Sequence, residues 1–204
     1  MATAAPERAG LLVAAAALVT LAACGSGTAG PSRSTSTGRA AAPAGFGWFA
    51  AGPAPADWRT ITLPDGAARL SYPPSARSTA GDPGTVTAAT GSADNPLIYL
   101  NATPRQGAET PANWSRFRVA HLADDDADSV ALEATATGLA FRGGTGSCVI
   151  DHYRSRVGGH AYREIACLVT GRHSASVLIA ATPTAAWSRE ATVIERAVDA
   201  YRVR

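Results

Sequence analysis

A pair of strands around Gly158-Gly159 is the clearest pattern of apolar and polar positions along the chain. Residues 148–154 and 161–169 are rich in apolar, β-branched and aromatic residues, and the two glycines between them are typical of a hairpin turn. Shorter segments with strand character lie at 58–63, 69–72, 86–88, 97–101, 130–135, 139–141 and 177–181. Turn signals separate them, as at Pro64-Asp65-Gly66, and indicate an antiparallel sheet.

Two further segments have helical periodicity. Thr110 and Pro111 are typical of an N-cap and a first helical position, and three side chains after them share one helix face: Trp114, Phe117 and His121. A second helix is predicted from about Thr184, because its apolar positions form one stripe: Trp187, Ala191, Ile194, Val198 and Tyr201. Together the elements predict an α+β fold, in which an antiparallel sheet is covered by two helices, one of them C-terminal.

The first part of the chain has the pattern of an export signal. Arg8 gives a short positive region, and residues 11–21 form an apolar run that is shorter than the ~20 residues a membrane-spanning helix needs. The run ends in Leu21-Ala22-Ala23-Cys24, which resembles the lipobox of bacterial lipoproteins. The resemblance implies that residues 1–23 are a cleavable signal peptide and that Cys24 carries lipid, including chains such as palmitate. We therefore expect a protein anchored by lipid to the extracytoplasmic face of the cell membrane.

Residues 25–56 are dominated by Gly, Ser, Thr, Ala and Pro, a composition that buries too little apolar surface to fold by itself. We interpret residues 24–56 as the lipidated cysteine and a disordered tether, and residues 57–204 as a single extracytoplasmic domain. Three aromatic residues interrupt this composition, and they either stay solvated, dock on the domain or touch the membrane: Phe46, Trp48 and Phe49.

Composition and missing motifs remove several classes of function. The formal net charge of +2 is too close to neutral to indicate a nucleic-acid partner. All 18 basic residues are arginine, so Schiff-base chemistry, attachment of pyridoxal phosphate and a P-loop are excluded, because each needs a lysine. The sequence contains no Gly-x-Ser-x-Gly motif of the kind that holds a nucleophilic serine. We predict no enzyme activity and no cofactor.

The histidines and acidic residues do not form the pattern of a metal site. Asp124, Asp126 and Asp128 have the spacing of a calcium loop, but Ser129 and Thr135 stand where that loop needs glycine and glutamate. The four histidines lack the spacing of a zinc site. We interpret the acidic run as a solvated turn that ends the first helix, because acidic side chains oppose the C-terminal helix dipole. No metal is predicted.

Cys148 and Cys167 remain once Cys24 is assigned to lipid, and export places them in an oxidising environment. A two-residue loop at Gly158-Gly159 would make them diagonal neighbours on one face of the hairpin. A four-residue loop over 156–159 would place them directly opposite each other. Both registers permit a bond, so we predict a structural disulfide between Cys148 and Cys167.

Either register also sorts the side chains of the hairpin between two faces. The face assigned to the core carries Cys148, Ile150, Ile165, Cys167 and Val169. The other face carries Asp151, Tyr153, Tyr162 and Glu164. These four residues form either a ligand-binding face or, as the simpler interpretation, a half-solvated sheet surface.

Three segments of the domain resemble a known family. They are Trp58-Arg59-Thr60-Ile61-Thr62-Leu63-Pro64-Asp65-Gly66, Leu70-Ser71-Tyr72-Pro73-Pro74 and the closing Ala200-Tyr201-Arg202-Val203. They are similar to the small lipoproteins of high-GC Gram-positive bacteria that share the PsbP-like α/β sandwich. The resemblance implies that fold for most of residues 57–204 and a binding or scaffolding role. It implies no catalytic residues, and Ser75-Ala76 departs from it, because members often have an aromatic residue there.

The anchor, the tether and the missing catalytic motifs lead to one main hypothesis. The chain is a non-enzymatic binding or accessory module for a small apolar or lipid-like ligand, or for a protein of the envelope. A cell-envelope hydrolase with a Ser/His/Asp site that no motif marks is the alternative, and a purely structural docking lipoprotein is the third hypothesis. A serine beside a histidine and a carboxylate in a cleft would favour the hydrolase, and an exposed apolar patch without a cavity would favour docking.

Overall fold

The fold is seen in a computed structural model that describes residues 43–92 and 95–204, without the side chains of Asp125 and Asp126. The predicted signal peptide, the predicted lipid on Cys24 and residues 25–42 of the predicted tether lie outside the described residues. In chain order the elements are β1 (Arg59–Thr62), β2 (Ala68–Tyr72), β3 (Arg77–Thr79), β4 (Val86–Gly91), β5 (Pro96–Pro104), α1 (Trp114–His121), a π-helical turn (Leu122–Asp126), β6 (Ala127–Phe141), β7 (Gly144–Ser155), β8 (Ala161–Gly171), β9 (Ala175–Pro183), a 3-10 turn (Thr184–Ala186), α2 (Trp187–Ala200) and β10 (Arg202–Val203).

Within residues 43–92 and 95–204, ten strands form two antiparallel sheets. The large sheet has the order β3-β4-β5-β9-β8-β7-β6, and the small sheet has the order β1-β2-β10. The predicted α+β fold with two helices, one of them C-terminal, is confirmed. The strands β3 and β10 have no recognisable pattern in the sequence, because runs of 3 and 2 residues are too short to show alternation.

The two helices cover opposite faces of the large sheet. On one face, α2 and the small sheet enclose the main core, in which Leu70 and Ile194 pack with the cysteine-bearing face of the hairpin. On the other face, Trp114 of α1 packs on a smaller apolar cluster made of Val149, Ala166, Leu168, Val177 and Ile179. Because β7, β8 and β9 are covered on both sides, their apolar residues run almost without interruption instead of alternating strictly with polar ones.

Residues 43–56, the last part of the predicted tether, belong to the folded domain. Phe46 is fully buried in the main core, and Phe49 packs against the same core while partly exposed. The backbone of this segment is tied to α2, because Ala50 N donates a hydrogen bond to Asp199 Oδ1 at 2.7 Å. The predicted tether is therefore wrong for these residues. A segment dominated by small residues packs on the domain when a few of its large aromatic side chains are buried in the core.

Helix α1 begins later than the Thr110-Pro111 pattern predicts. Thr110 and Asn113 close a turn of their own: Thr110 N donates to Asn113 Oδ1 at 2.7 Å, and Asn113 N donates to Thr110 Oγ1 at 3.2 Å. These side-chain bonds compete with helical hydrogen bonding, so the helix starts only at Trp114. The α-helix ends at His121, but a π-helical turn over Leu122–Asp126 follows it directly, so the first acidic residues lie within the helical segment and not beyond its end as predicted.

The β7–β8 hairpin has the four-residue loop. Arg154 pairs with Ala161 across the loop, and this register places Cys148 directly opposite Cys167. The two cysteines have Cα atoms 4.1 Å apart and form the predicted disulfide. Both are buried in the main core, where the bond links the two strands of the hairpin.

Replacing both Cys148 and Cys167 by alanine should lower the free energy of unfolding by about 3 kcal/mol, because the bond closes a loop of roughly 20 residues in the unfolded chain. Guanidinium denaturation of the wild type and the variant measures this difference. Reduced wild-type protein serves as the control and should lose a similar amount. A variant as stable as the oxidised wild type would contradict the structural role.

Candidate functional site

The four residues of the predicted ligand face lie together on the face of the hairpin beneath α1. Asp151 pairs with Glu164, and Tyr153 pairs with Tyr162. Asp151 and Glu164 are both fully buried. The interpretation as a half-solvated sheet surface is therefore wrong. Side-chain alternation places these residues on a face away from the main core, but it does not show that a helix covers that face.

A cleft of about 860 Å³ lies between α1 and the large sheet. Residues of β5, β9, β8 and β7 form its floor, α1 and residues 106–109 line its side, and the tip of the β7–β8 hairpin reaches its edge. The aromatic residues that line it are Tyr99, Trp114, Phe117, Tyr153 and Tyr162. The acidic and arginine residues that line it are Asp82, Glu109, Arg118, Arg156 and Glu164.

A buried ion pair joins α1 to the floor of the cleft. Arg118 donates from Nε to Glu164 Oε1 at 2.8 Å and from Nη2 to Glu164 Oε2 at 2.9 Å. Burial by itself would lower the pKa of Arg118, but attraction to Glu164 and hydrogen bonding with it raise that pKa above its ordinary value. Trp114 adds a second link, because its Nε1 donates to the carbonyl of Ala166 at 3.0 Å. These contacts fix the distance between α1 and the sheet.

Asp151 has a different environment from Glu164, although the two lie side by side. No described residue donates a hydrogen bond to either of its carboxylate oxygens. Burial and the charge of Glu164 raise the pKa of Asp151 to about 8, and Arg118 offsets only part of this effect. At neutral pH the sheet face beneath α1 therefore holds one buried ion pair and, beside it and outside the lining of the cleft, one protonated acid.

Two tyrosines cover the polar part of the floor. The rings of Tyr153 and Tyr162 are stacked with their centroids 5.5 Å apart. Burial raises the pKa of both phenols, and that of Tyr99 as well, so all three keep their protons in the physiological range. On α1, Phe117 stacks on Trp114 with ring centroids 6.2 Å apart. The cleft thus presents aromatic rings on both its floor and its helical side.

Glu109 is a second buried acid at the cleft, in the segment that precedes α1. Its side chain is only 3% exposed. Its Oε1 accepts a hydrogen bond from Gln106 N at 2.7 Å, whereas no described residue donates to its Oε2. Sequence reasoning missed both Glu109 and Arg118. Arg118 had a signal, since it follows Trp114 by four positions and so lies on the apolar face of the helix, but Glu109 lies in a loop without periodicity.

Comparison with solved structures finds proteins that are similar to this chain. Cyanobacterial PsbP (CyanoP) from Synechocystis sp. PCC 6803 matches with a TM-score of 0.50 and 15% sequence identity, over 75% of this chain and 96% of that chain. The domain has a PsbP-like fold. LpqN, involved in cell envelope biogenesis of Mycobacterium tuberculosis, matches with a TM-score of 0.43 and 13% identity, over 72% of this chain and 90% of that chain. No protein-family model and no curated protein matches this sequence.

At such low identity the similarity to CyanoP concerns the fold alone. It confirms the architecture that the three sequence segments implied, and it assigns no site residue. Within the described part of the PsbP-like domain, no three His, Cys, Asp or Glu side chains are grouped as metal ligands. No helix among those residues combines the length and apolar character needed to cross a membrane.

At the edge of the cleft, Arg156 of the hairpin tip ties the PsbP-like sheet to the π-helical turn that follows α1. Its Nη1 donates to the carbonyl of Asp124 at 2.8 Å, and its Nη2 donates to the carbonyl of Ala123 at 2.6 Å. Its Nε also lies 3.8 Å from a carboxylate oxygen of Asp128. A guanidinium at this position stabilises the carbonyl end of the helical segment. The acidic run therefore forms part of the frame of the cleft.

Proposed function

We propose that the chain is an extracytoplasmic lipoprotein, anchored through a lipid on Cys24, whose PsbP-like domain binds a small apolar or lipid-like ligand without changing it chemically. The cleft under α1 is the observation on which this proposal rests. Its volume of about 860 Å³ falls in the range of roughly 300–1,000 Å³ that is typical of small-molecule sites.

The lining of the cleft supports an amphipathic ligand. Aromatic rings on the floor and on α1 supply apolar contact area, and a few buried polar groups among them supply orientation. The Arg118–Glu164 pair and the Trp114 hydrogen bond hold the helical side in place, which reduces the ordering that binding would otherwise require. A preformed cleft of this kind favours a bound ligand over a purely structural docking role.

The proposed location rests on the sequence around Leu21-Ala22-Ala23-Cys24 and is compatible with the disulfide, since such bonds persist in oxidising compartments. Mass spectrometry of the protein extracted from its own membranes tests location and ligand together. The denatured protein should lack residues 1–23, carry added lipid and have the mass of the disulfide form. The native protein should be heavier by one discrete small molecule. A denatured protein without lipid would contradict the anchor, and equal native and denatured masses would contradict the ligand.

A substitution that fills the cleft tests whether the bound small molecule lies there. Thr103 lies half-buried on β5 in the cleft floor, so Thr103→Trp should fill the space and remove the extra mass. Thr60→Trp is the matched control, because Thr60 is exposed on β1 of the small sheet. It should leave the native mass difference unchanged. A ligand that persists in Thr103→Trp would place the binding site elsewhere.

A further inference from the structure

Arg118 has one nitrogen that the ion pair with Glu164 leaves unused. Its Nε and Nη2 donate to the carboxylate oxygens of Glu164, whereas its Nη1 donates to no described residue. Nη1 is not enclosed either, because among the described residues only Glu109 and Asp151 have buried side-chain polar atoms without a partner. The Arg118 side chain is 10% exposed and lines the cleft. Nη1 therefore presents its N–H groups to the cleft.

The phenol of Tyr153 is a second polar group that faces the cleft without a partner. Its oxygen bonds to no described residue and is not enclosed, and the half-buried side chain lines the cleft. The charge of Arg118 acts on this phenol, so the two groups lie near each other. Burial raises the pKa of Tyr153, so the phenol keeps its proton and can donate it in a hydrogen bond. Arg118 Nη1 and Tyr153 Oη are thus neighbouring donors.

Both donors are held in place before any ligand binds. Two hydrogen bonds to Glu164 fix the plane of the Arg118 guanidinium, and stacking on Tyr162, with ring centroids 5.5 Å apart, holds the ring of Tyr153. Partly buried donors in such a frame lose little hydration and little freedom when an acceptor arrives. An oxygen with two lone pairs, such as that of a carbonyl group, can accept from both donors.

The charges around the cleft favour an uncharged acceptor over an anion. The charge of Arg118 is already balanced by Glu164, at 2.8 Å. The other arginine of the lining, Arg156, donates to two backbone carbonyls and lies near Asp128. Acidic residues of the lining outnumber its arginines by three to two. The acidic side chains would therefore repel a carboxylate or a phosphate, whereas a carbonyl oxygen meets the two donors without that repulsion.

We infer that the ligand of the cleft carries an uncharged carbonyl group, in an ester or an amide, whose oxygen accepts hydrogen bonds from Arg118 Nη1 and Tyr153 Oη. This inference rests on the proposed function and names its ligand class. The apolar part of the ligand contacts the aromatic rings that line the cleft, Trp114 and Tyr162 among them. The carbonyl belongs either to a lipid-like ester or amide or to a small soluble one, and both share the chemistry that the two donors recognise.

Three probes with similar apolar tails test the head group of the ligand. Isothermal titration calorimetry would use N,N-dimethyldecanamide, decanoate and decyltrimethylammonium, each below its micelle concentration. The protein would be the full chain with Cys24→Ala, so that the probes do not partition into the anchor lipid. We expect the uncharged amide to bind at least about tenfold more tightly than the anion, which is repelled, and than the cation, which has no acceptor.

The outcomes distinguish the inference from the proposed function. Equal affinity for the three probes would overturn the carbonyl inference and leave the proposed ligand cleft standing, and so would tightest binding of decanoate. No binding of any probe would overturn both. N,N-Dimethylacetamide identifies the source of the carbonyl: affinity close to that of the decyl amide supports a soluble ligand, and a large loss without the tail supports a lipid-like one.

Two substitutions locate the carbonyl site. Tyr153→Phe keeps the stacked ring and removes only the donor, so N,N-dimethyldecanamide should bind about tenfold more weakly, while the weaker binding of decyltrimethylammonium is unaffected. Arg118→Lys keeps a positive charge for Glu164 but lacks the planar fork of nitrogens, and should weaken binding of the amide selectively. Tyr72→Phe is the matched control, because Tyr72 lies on β2 of the small sheet, and it should change neither affinity. Unchanged amide affinity in either cleft variant would overturn the assignment.

Discussion

Replacing Arg118 by methionine should lower the free energy of unfolding by about 4 kcal/mol, because it leaves the buried Glu164 carboxylate without its partner. Methionine keeps much of the side-chain volume, so the loss reports the missing charge and hydrogen bonds more than a cavity. Asp151 lies next to Glu164 but stays protonated at neutral pH, so it supplies no positive charge in place of the guanidinium. Chemical denaturation at pH 7 measures the difference.

Two controls separate the ion pair from other effects of the Arg118 substitution. Arg116→Met removes an exposed arginine from the same helix and should change stability by less than about 0.5 kcal/mol. The double variant Arg118→Met/Glu164→Leu removes both charges and should recover most of the loss, since apolar replacement of a buried pair is often neutral. A loss below about 1 kcal/mol in Arg118→Met would contradict the importance of the pair.

The β7–β8 hairpin is the part of the fold that local sequence patterns predict best. Strand alternation is a local property, so it separates Cys148 and Cys167 from Asp151 and Glu164 without knowledge of any other element. The loop length is not encoded as clearly, because Gly158-Gly159 fits either register. The structure has the longer loop, with a hydrogen bond of 2.9 Å from Ser155 N to the carbonyl of His160.

The cleft was only partly predictable, because it depends on contacts between distant segments. The hairpin contributes three lining residues of the predicted face, but α1 reaches them over 46 positions of sequence, as the Arg118–Glu164 bond shows. The docking of Phe46 in the core is equally non-local. Composition describes a segment in isolation, whereas the burial of a side chain depends on the space that distant parts of the folded chain provide for it.

Asp151 gives the domain a characteristic dependence on pH. Burial and the neighbouring charge of Glu164 raise its pKa from 3.8 to about 8, with Arg118 on α1 opposing and the Tyr153 phenol facing the same group. Below pH 4 the carboxyl is protonated in both the folded and the unfolded state. Between pH 4 and 8 the unfolded chain releases a proton that the folded protein keeps. The stability contributed by this proton is therefore full at low pH and is lost as the pH rises towards 8.

Asp151→Asn should remove this loss, because asparagine has nearly the same shape and never ionises. The free energy of unfolding of the wild type should fall relative to that of the variant by up to about 1.4 kcal/mol per pH unit between pH 4 and 8. At pH 7 the variant should be more stable by about 3–4 kcal/mol. Urea denaturation of both proteins across this range measures the difference, which cancels the contributions of all other titrating groups. Asp57→Asn, at an exposed position, is the matched control and should follow the wild type. A constant difference between Asp151→Asn and the wild type would show that Asp151 ionises alike in both states, and the buried sheet face beneath α1 would then carry a second negative charge at neutral pH.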